Sequence, residues 1–492
     1  MDLTWFVSLL LALIISWFIY STWDSIYRRR NLPPGPTPLP IVGNVLQIKR
    51  GEMVKSLMEL REKYGSIYTV YFGHRPIVVL CGYDNIKGTL IDRAEEFSGR
   101  GMQPAIDQYM NGHGIVFSNG SRWRDQRRFS LTALRNFGMG KKSIEERIQE
   151  EASFVIDEIK TQKEQFIDPT RFLVQAVANV ICSVVFGNRF EYSNDSFQNL
   201  LTMFGAVFRD MSSVCGQLLE MLPTIMSYVP GPHKRINKSF DKLSDFVLER
   251  VKMNEETLDP NSPRDFIDCY LIKQQQEKDN PNFDRENMKM TVLNLFFAGT
   301  ETVSSTLRHG LLILMRYPEI QAKLHEEIDR VIGENRFPNT DDRSNMPYMN
   351  AVLHEIQRYS DVLPLNVPHT TTKDVHFKGY TIPKGTDVYP LLCTVHQDPT
   401  KLDCPTKFDP NNFLDDKGCF KKNDCYMPFS AGKRMCVGEG LAKMELFIFL
   451  TMILQNFRLS PEKQLTDEDI QPLMAGVANM PKFYRVKFIP RV

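Results

Sequence analysis

The 492-residue sequence lacks features that would place it in several broad classes of protein. Its nine cysteines include no C-x-x-C pair and are irregularly spaced, which argues against a structural zinc site and against a secreted disulfide framework. It contains no internal repeat and no Gly/Ser-rich linker. Its 60 basic and 59 acidic residues leave a net charge of +1, so the chain as a whole is not suited to nucleic acid. No dinucleotide-binding fingerprint is present, so redox chemistry would need electrons from a separate protein.

One long apolar run stands near the N-terminus. Residues 3–20 carry no charge, and about 20 apolar residues can cross a bilayer as a helix. Arg28, Arg29 and Arg30 follow, and such a basic cluster favours the cytosolic side for what comes after it. We therefore expect residues 1–27 to be a signal-anchor, with a cleaved signal peptide as the alternative. Residues 28–40, which are basic and then proline-rich, predict a stiff hinge, and residues 41–492 a single domain.

Helical periodicity dominates the remaining sequence, and two regions read as β-structure. Short strands are predicted at 66–72 and 76–81, within 373–390, and as a terminal hairpin over 470–490. Helices are predicted at 52–64, 121–134, 143–160, 170–186, 196–211, 235–255, 264–277, 284–316, 318–332, 347–359 and 437–455. The predicted fold class is mainly α with a small β region, and it is large enough to enclose a buried ligand.

The strongest chemical signal is the segment from Phe429 to Gly438, with sequence FSAGKRMCVG. Cys436 stands in a loop just before a predicted helix, where backbone amides and the helix dipole stabilise a thiolate. Gly432 and Gly438 would let the backbone approach a large flat group, and Arg434 would meet a carboxylate. A thiolate in such a loop suits axial ligation of haem iron. Taken alone, the cysteine could equally be a small buried hydrophobe.

The full pattern F-x-x-G-x-R-x-C-x-G resembles the haem-binding signature of the cytochrome P-450 superfamily. Other segments are similar to the vertebrate microsomal family 2 of that superfamily, in the same order along the chain: the proline-rich arm, Phe117–Gly120 and Asn136–Gly140. The resemblance implies the cytochrome P-450 fold, a catalytic domain over 41–492, and haem b as cofactor with Cys436 as the axial iron ligand.

The resemblance assigns roles to several further residues. Thr302 and Glu301, within AGTET of the long apolar helix, match the oxygen-binding and proton-relay positions. Glu355 and Arg358 match a structural pair, whose network the family often completes with an arginine where this chain has Asn412. Further haem contacts are implied for Arg100, Trp123, Arg127, Ala298, His369, Phe429, Arg434 and Gly438.

The resemblance also outlines a mostly apolar substrate pocket, which suits hydrophobic molecules. Asn294, Asp107 and Arg209 are candidates to orient a polar group of the substrate. The predicted lining is Ile106, Tyr109, Ile115, Phe117, Phe204, Phe208, Asn294, Phe297, Ala298, Leu363, Val367 and Val477. Each of the apolar residues has ordinary core packing as its alternative.

The expected function is that of a haem-thiolate monooxygenase acting on small hydrophobic substrates such as xenobiotics, drugs, steroids or fatty acids. The resemblance implies the endoplasmic reticulum membrane as location, O2 as co-substrate, and NADPH-cytochrome P-450 reductase as electron donor, with cytochrome b5 as a second candidate. Two alternatives stay open: a thiolate-haem isomerase or peroxygenase that needs no reductase, and a non-catalytic haem- or lipid-binding membrane protein. The sequence does not identify the substrate.

Overall fold

The protein is described here from a computed structural model. The structure describes residues 31–491 except 138–141, 425 and 474–477, together with six separate positions between residues 5 and 16. The expected signal-anchor over 1–27 therefore lies almost wholly outside the described residues. Among the residues that are described, no helix has the length and apolar character needed to cross a membrane.

Helices make up most of the described chain, as the periodicity predicts. The α-helices are α1 (Met53–Tyr64), α2 (Tyr83–Leu90), α3 (Pro104–Met110), α4 (Gly120–Asn136), α5 (Lys142–Thr161), α6 (Thr170–Val185), α7 (Asp195–Ser212), α8 (Val214–Met221), α9 (Pro223–Met226), α10 (Lys234–Thr257), α11 (Phe266–Gln276), α12 (Arg285–Arg316), α13 (Pro318–Val331), α14 (Pro347–Ser360), α15 (Cys393–His396), α16 (Glu439–Asn456) and α17 (Asp467–Ile470). Each of the eleven predicted helices is confirmed, with ends that differ by a few residues. The six short helices α2, α3, α8, α9, α15 and α17 were not predicted, because one or two turns give too few periods to recognise.

The described strands form one five-stranded sheet and two two-stranded sheets. They are β1 (Ile67–Phe72), β2 (Arg75–Cys81), β3 (Gly99–Arg100), β4 (His369–Thr370), β5 (Val375–Phe377), β6 (Tyr380–Ile382), β7 (Asp387–Leu391), β8 (Phe457–Pro461) and β9 (Val486–Pro490). The large sheet has the order β1-β2-β7-β4-β3, in which only the β2–β7 pair is parallel. It therefore joins the first hundred residues to the segment 369–391.

The predicted C-terminal hairpin over 470–490 is wrong. Strand β9 pairs instead with β8, in a register that places Phe457 opposite Pro490. Among the described residues of 470–490, the one pairing within the segment is an isolated bridge between Leu473 and Met480. The partner strand lies directly after α16, where continuous apolar sequence made helix and strand hard to separate.

The proline-rich segment lies against the body of the protein. Leu32 is buried, the Thr69 amide donates to the Pro34 carbonyl (2.8 Å), and the Thr381 amide donates to the Asn31 carbonyl (2.8 Å). At Gly35 an added Cβ would overlap the Thr69 carbonyl oxygen. Residues 31–40 are thus fixed along the large sheet and do not extend away from it.

The long helix α12 is the centre of the largest apolar core. It begins at the cap residue Asp284, whose side chain accepts the Asn287 amide (2.6 Å), and it packs against α6 and α16. The three helices place the middle of α12 opposite the start of α16, and the Cys436 loop immediately precedes that start. This packing brings together two motifs that are more than 130 residues apart in the sequence.

The cysteines are less buried than expected. All eight in the described residues are free thiols, which agrees with the absence of a disulfide framework. Cys81, Cys182 and Cys393 are buried, whereas Cys404 and Cys419 are exposed in the loops before the Cys436 segment.

Candidate active site

The Cys436 sulfur faces an internal cavity at the start of α16. The Cys436 amide donates to the Phe429 carbonyl (3.0 Å), which closes the loop over residues 429–436. Burial raises the pKa of the Cys436 thiol, while the amides of Gly438 and Glu439 act in the opposite direction. The Cys436 side chain is exposed to this cavity, and the two amides act in the direction that the sequence predicts, although the net shift of the thiol pKa is upward. A bound metal cation would reverse the balance, since coordination deprotonates a thiol.

The structure explains the two glycines of the loop in different ways. Gly432 has a φ of +71°, and an added Cβ would overlap the Leu90 carbonyl oxygen. Close packing against α2 therefore requires a glycine at this position, whereas the sequence analysis attributed it to the approach of a large flat ligand. A Cβ at Gly438 would meet only the Cys436 sulfur, at 3.9 Å, so that glycine keeps the cavity side of the cysteine open.

The cavity gathers most of the residues that the sequence singled out as haem contacts and several from the predicted pocket. Its lining includes Arg100, Ile115, Trp123, Arg127, Asn294, Ala298, Thr302, Leu363, Val367, Phe429, Arg434, Cys436 and Gly438. These residues come from β3, the 111–119 loop, α4, α12, the 361–367 turn and the cysteine loop. One cavity thus contains a thiol, a cationic side and an apolar side.

Three arginines crowd the cationic side. Arg434 lies over the Trp123 ring (3.9 Å) and donates to the carbonyls of Ser98 (2.7 Å) and Ser118 (2.8 Å). Arg100 donates to the carbonyls of Val116 and Val367 (both 3.1 Å), and Arg127 to that of Met435 (2.7 Å). Burial lowers the pKa of all three, and for Arg100 and Arg434 repulsion from neighbouring arginines adds to the effect.

This side of the cavity needs negative charge. Within the part of the chain that the structure describes, none of the three arginines forms an ion pair with a carboxylate. A buried charge is costly unless it is paired, so anionic groups bound here would relieve the repulsion.

Two buried nitrogen atoms beside the arginines also lack partners. Nε1 of Trp123 and Nε2 of His369 are buried with no hydrogen bond from the described residues. Nδ1 of His369 is 2.7 Å from the Phe97 carbonyl, so the ring proton belongs on Nδ1; burial lowers the pKa of His369 well below its usual range, with Arg100 contributing. An adjacent anion would favour a second proton on Nε2 and make it a donor. The residues therefore fit a flat iron porphyrin whose two carboxylates meet this cationic side.

Thr302 and Glu301 are neighbours in α12 but line different cavities. The Thr302 hydroxyl donates to the Ala298 carbonyl (2.6 Å) in the groove of the helix and faces the thiol cavity. Glu301 faces a second cavity, where its carboxylate accepts from Ser305 (3.4 Å). Burial raises the pKa of Glu301, while Arg308, Ser305 and Arg209 lower it. A proton relay between the two residues would have to pass around the helix.

Only part of the predicted substrate pocket lines the cavity. Tyr109 stacks on Phe240 (ring centroids 4.6 Å apart) with its hydroxyl against Ser244, and Phe204 and Phe208 contact Phe297 at 5.6 Å and 4.6 Å. These side chains pack between helices, as do those of Ile106 and Phe117, because apolar positions of an amphipathic helix serve the core first. Val477 lies outside the described residues.

Two of the three polar candidates for orienting a substrate have other contacts, and the third, Arg209, lines the second cavity. Asn294 lines the cavity, but its Oδ1 accepts from the amides of Ile115 and Val116 (both 3.1 Å), so its carbonyl oxygen holds the loop that forms the cavity wall. Asp107 accepts the Gln103 amide (2.6 Å) at the start of α3.

The Glu355–Arg358 pair is completed by Asn412. Arg358 donates twice to Glu355 (2.7 Å each) and also to the carbonyls of His396, Pro405 and Lys407. The Asn412 side-chain amide donates to Glu355 (3.2 Å). A neutral hydrogen bond thus stands where the related sequences often place a second cation, and the network still joins α14 to the loop that leads to Cys436.

Sequence reasoning missed several lining residues. Glu445 lines the cavity with Leu441, Ala442 and Leu446, and burial raises its pKa well above the usual range. Their spacing from Gly438, at three, four, seven and eight residues, is the signal that would have found them, because it marks one face of α16.

Comparison with known proteins agrees with this geometry. The model of the family described as Cytochrome P450 matches residues 33–488. The chain is 51% identical to Cytochrome P450 2G1 of Oryctolagus cuniculus over 100% of both chains, and 51% identical to Cytochrome P450 2A13 of Homo sapiens over 98% of both. It is 50% identical to Cytochrome P450 2H2 of Gallus gallus over 100% of both chains. The chain therefore belongs to the cytochrome P450 family and is a haem-iron monooxygenase related to family 2 members.

Proposed function

We propose that this enzyme inserts one oxygen atom from O2 into small hydrophobic substrates, using electrons that NADPH supplies through a separate reductase. The observation that carries the proposal is that one cavity contains the Cys436 sulfur, an unpaired cationic side, and the Thr302 hydroxyl beside apolar walls. Haem b, when bound, would supply the oxygen activation and electron transfer. The protein would supply ligation, charge, protons and orientation.

The cofactor would be held from two directions. Cys436 would give its thiolate to the iron, in a loop fixed by the hydrogen bond to Phe429. Arg100, Arg434 and Trp123 would donate to the two porphyrin carboxylates, and His369 and Arg127 lie close enough to add to the same field. Phe429, Ala298 and Gly438 would contact the porphyrin faces.

Thr302 would hold a proton on its hydroxyl at the cavity side of α12. The hydroxyl already donates to the Ala298 carbonyl, so it would rotate to serve a reacting group and then return. Glu301 would exchange protons with water from the second cavity, and burial raises the pKa of its carboxyl above the usual value.

The substrate would be a small molecule with a mainly apolar surface. Ile115, Ala298, Leu363 and Val367 supply apolar contacts, whereas the Asn294 carbonyl oxygen is occupied by the loop amides. Such a lining selects by size and hydrophobicity more than by hydrogen bonding. Xenobiotics, drugs, steroids and fatty acids all meet this description.

The electron donor would approach the surface next to the cysteine loop. Exposed arginine and lysine side chains without an ion pair among the described residues gather there, and opposite charge on a partner would speed its approach. They are Arg124, Arg128, Arg135, Lys421 and Lys422. NADPH-cytochrome P-450 reductase is the proposed partner, with cytochrome b5 as a second donor.

The proposed location is the endoplasmic reticulum membrane, with the catalytic domain on the cytosolic side. The support is the uncharged run over residues 3–20 followed by Arg28, Arg29 and Arg30.

Absorption spectra of the purified protein test the proposal. The reduced protein with carbon monoxide should show the band that gives the family its name, and Cys436→His should lose that band while keeping its helical content. Adding reductase and NADPH should then raise NADPH consumption when a lipophilic probe is present. A normal band in Cys436→His would refute the ligand assignment. A band without reductase-driven turnover would favour a peroxide-using enzyme, an isomerase or a haem-binding protein.

A further inference from the structure

A second cavity lies on the other side of α12 from the thiol cavity. Its volume of about 660 Å³ is in the range of small-molecule sites, and it shares no lining residue with the thiol cavity. Its walls are α6, α7, α12 and the residues Leu473, Ala478 and Met480. Nothing in the proposed reaction uses this space except the contact with Glu301.

Three arginines from three different helices line this cavity. Arg171 comes from α6, Arg209 from α7 and Arg308 from α12, against a single carboxylate, Glu301. Arg171 and Arg209 are exposed and Arg308 is half-buried, and in the described part of the chain none of the three guanidinium groups makes an ion pair or a hydrogen bond. Three cations against one carboxylate leave an excess of positive charge facing one space, which favours an anion there.

Two buried polar atoms of the lining residues also lack partners. Nε of Arg308 and the hydroxyl of Ser212 are buried, and no described residue bonds to either. A buried donor without an acceptor destabilises the protein unless a ligand or water meets it. These atoms belong to α12 and α7, the two helices that also carry Glu301 and Arg209.

The remaining walls are largely apolar. Val174, Leu201, Phe208, Leu473 and Met480 face the same space. A cationic side and an apolar side in one cavity match a molecule that carries a negative head group on a hydrocarbon body. We propose that this cavity is a second ligand site that binds the carboxylate of an amphipathic molecule through Arg209 and Arg308, with its hydrocarbon part along the apolar walls.

Calorimetric titration of octanoate into the full-length holoenzyme tests the site. The thiol cavity is first saturated with an azole that ligates the iron, so that octanoate has only the second cavity to enter. Octanoate should still bind, and 1-octanol should bind more weakly because it lacks the charge. Arg209→Gln and Arg308→Gln should each weaken octanoate binding, the former by about tenfold, as expected for loss of a hydrogen bond to a charged group.

The matched control is Arg458→Gln, an exposed arginine on β8 that lines neither cavity. It should leave the affinity within about twofold, a change well below one hydrogen bond. Loss of octanoate binding in the presence of the azole would overturn the proposal, since the carboxylate would then be binding beside the iron. Equal affinity of octanoate and 1-octanol, or of Arg209→Gln and the unmodified protein, would also overturn it. Because the readout is heat of binding, failure of the proposed oxidation would leave this result interpretable.

Discussion

At the scale of single residues, the active site is marked by polar atoms that the protein leaves unsatisfied. Most buried donors in folded proteins have partners. Nε1 of Trp123 and Nε2 of His369 do not, and both lie beside Arg434 and Arg100. Arg100, Trp123 and Arg434 come from three segments and line one cavity, which supports the proposal that a single anionic ligand meets them there.

Trp123→Phe tests whether the unsatisfied indole nitrogen donates to an anionic ligand. Phenylalanine keeps an aromatic ring beneath Arg434 but removes the indole donor. We expect haem to dissociate about tenfold faster, since a hydrogen bond to a charged acceptor contributes about 1.5 kcal/mol or more. Transfer of haem to apomyoglobin measures the rate.

Tyr83→Phe, which removes a polar group from an aromatic residue outside the cavity, is the control and should leave the rate unchanged. An unchanged rate in Trp123→Phe would mean that the indole does not reach the haem carboxylates.

At the scale of elements, the segment before the cavity wall is fixed by a buried charge network. Arg75 of β2 donates to the carbonyls of Met102 (3.2 Å) and Glu220 (2.9 Å) and lies 3.4 Å from the Asp387 carboxylate. The Glu220 carboxylate accepts the Ala105 amide (3.1 Å) and Asp387 the Met102 amide (3.3 Å). Strands β2 and β7 and helix α8 thereby hold the start of α3.

Glu220→Gln should stabilise the protein at alkaline pH. Burial raises the pKa of Glu220 from 4.5 to about 8, although the Ala105 amide and Arg75 oppose it. The folded state therefore holds this proton more tightly than the unfolded state, and its stability falls as pH rises from 4.5 towards 8. The substitution should raise the free energy of unfolding by about 2 kcal/mol at pH 8 and by little near pH 4.5.

Thermal unfolding followed by circular dichroism at pH 5 and pH 8 measures the difference. Glu334→Gln, at an exposed carboxylate, is the control and should show the same small effect at both pH values. If Glu220→Gln raised the stability equally at pH 5 and pH 8, the result would contradict the raised pKa of Glu220.

The buried network around Arg358 also joins separate elements of the fold. Its side chain is 1% exposed and binds three backbone carbonyls besides Glu355, so it ties α14 to loop residues between 396 and 407. Breaking a buried pair by removing one partner is strongly destabilising. A neutral residue is sufficient at Asn412 because Arg358 already supplies the cation that pairs with Glu355.

At the scale of the whole molecule, the folded body begins earlier than the proline-rich sequence indicates. The family match starts at residue 33; Pro34 is already bonded to the large sheet, Asn31 is bonded to the β5–β6 sheet, and Leu32 is buried. The hinge that we expected over 28–40 is therefore largely part of the folded body.

Two truncated proteins test whether residues 31–40 stabilise the folded body. Removal of residues 1–27 should leave the carbon monoxide band and the melting temperature unchanged, since no described contact of the body is lost. Removal of residues 1–40 should lower the melting temperature by several degrees, because it deletes the buried Leu32 and two backbone hydrogen bonds.

Absorption spectra and thermal scans on the two proteins make the comparison. Equal stability of the two truncated proteins would show that the segment 31–40 adds nothing to the fold.

Much of this protein follows from its sequence alone. The eleven longer helices have enough turns to show their period, and FSAGKRMCVG has enough fixed positions to identify both the cysteine and the family. The tertiary structure alone decided the rest, because it depends on which faces meet. It turned Tyr109 and Phe208 away from the thiol cavity, placed Glu301 and Thr302 on opposite sides of α12, and paired β9 with β8. Local sequence sets the period of a helix, but packing against distant segments sets the direction of each side chain.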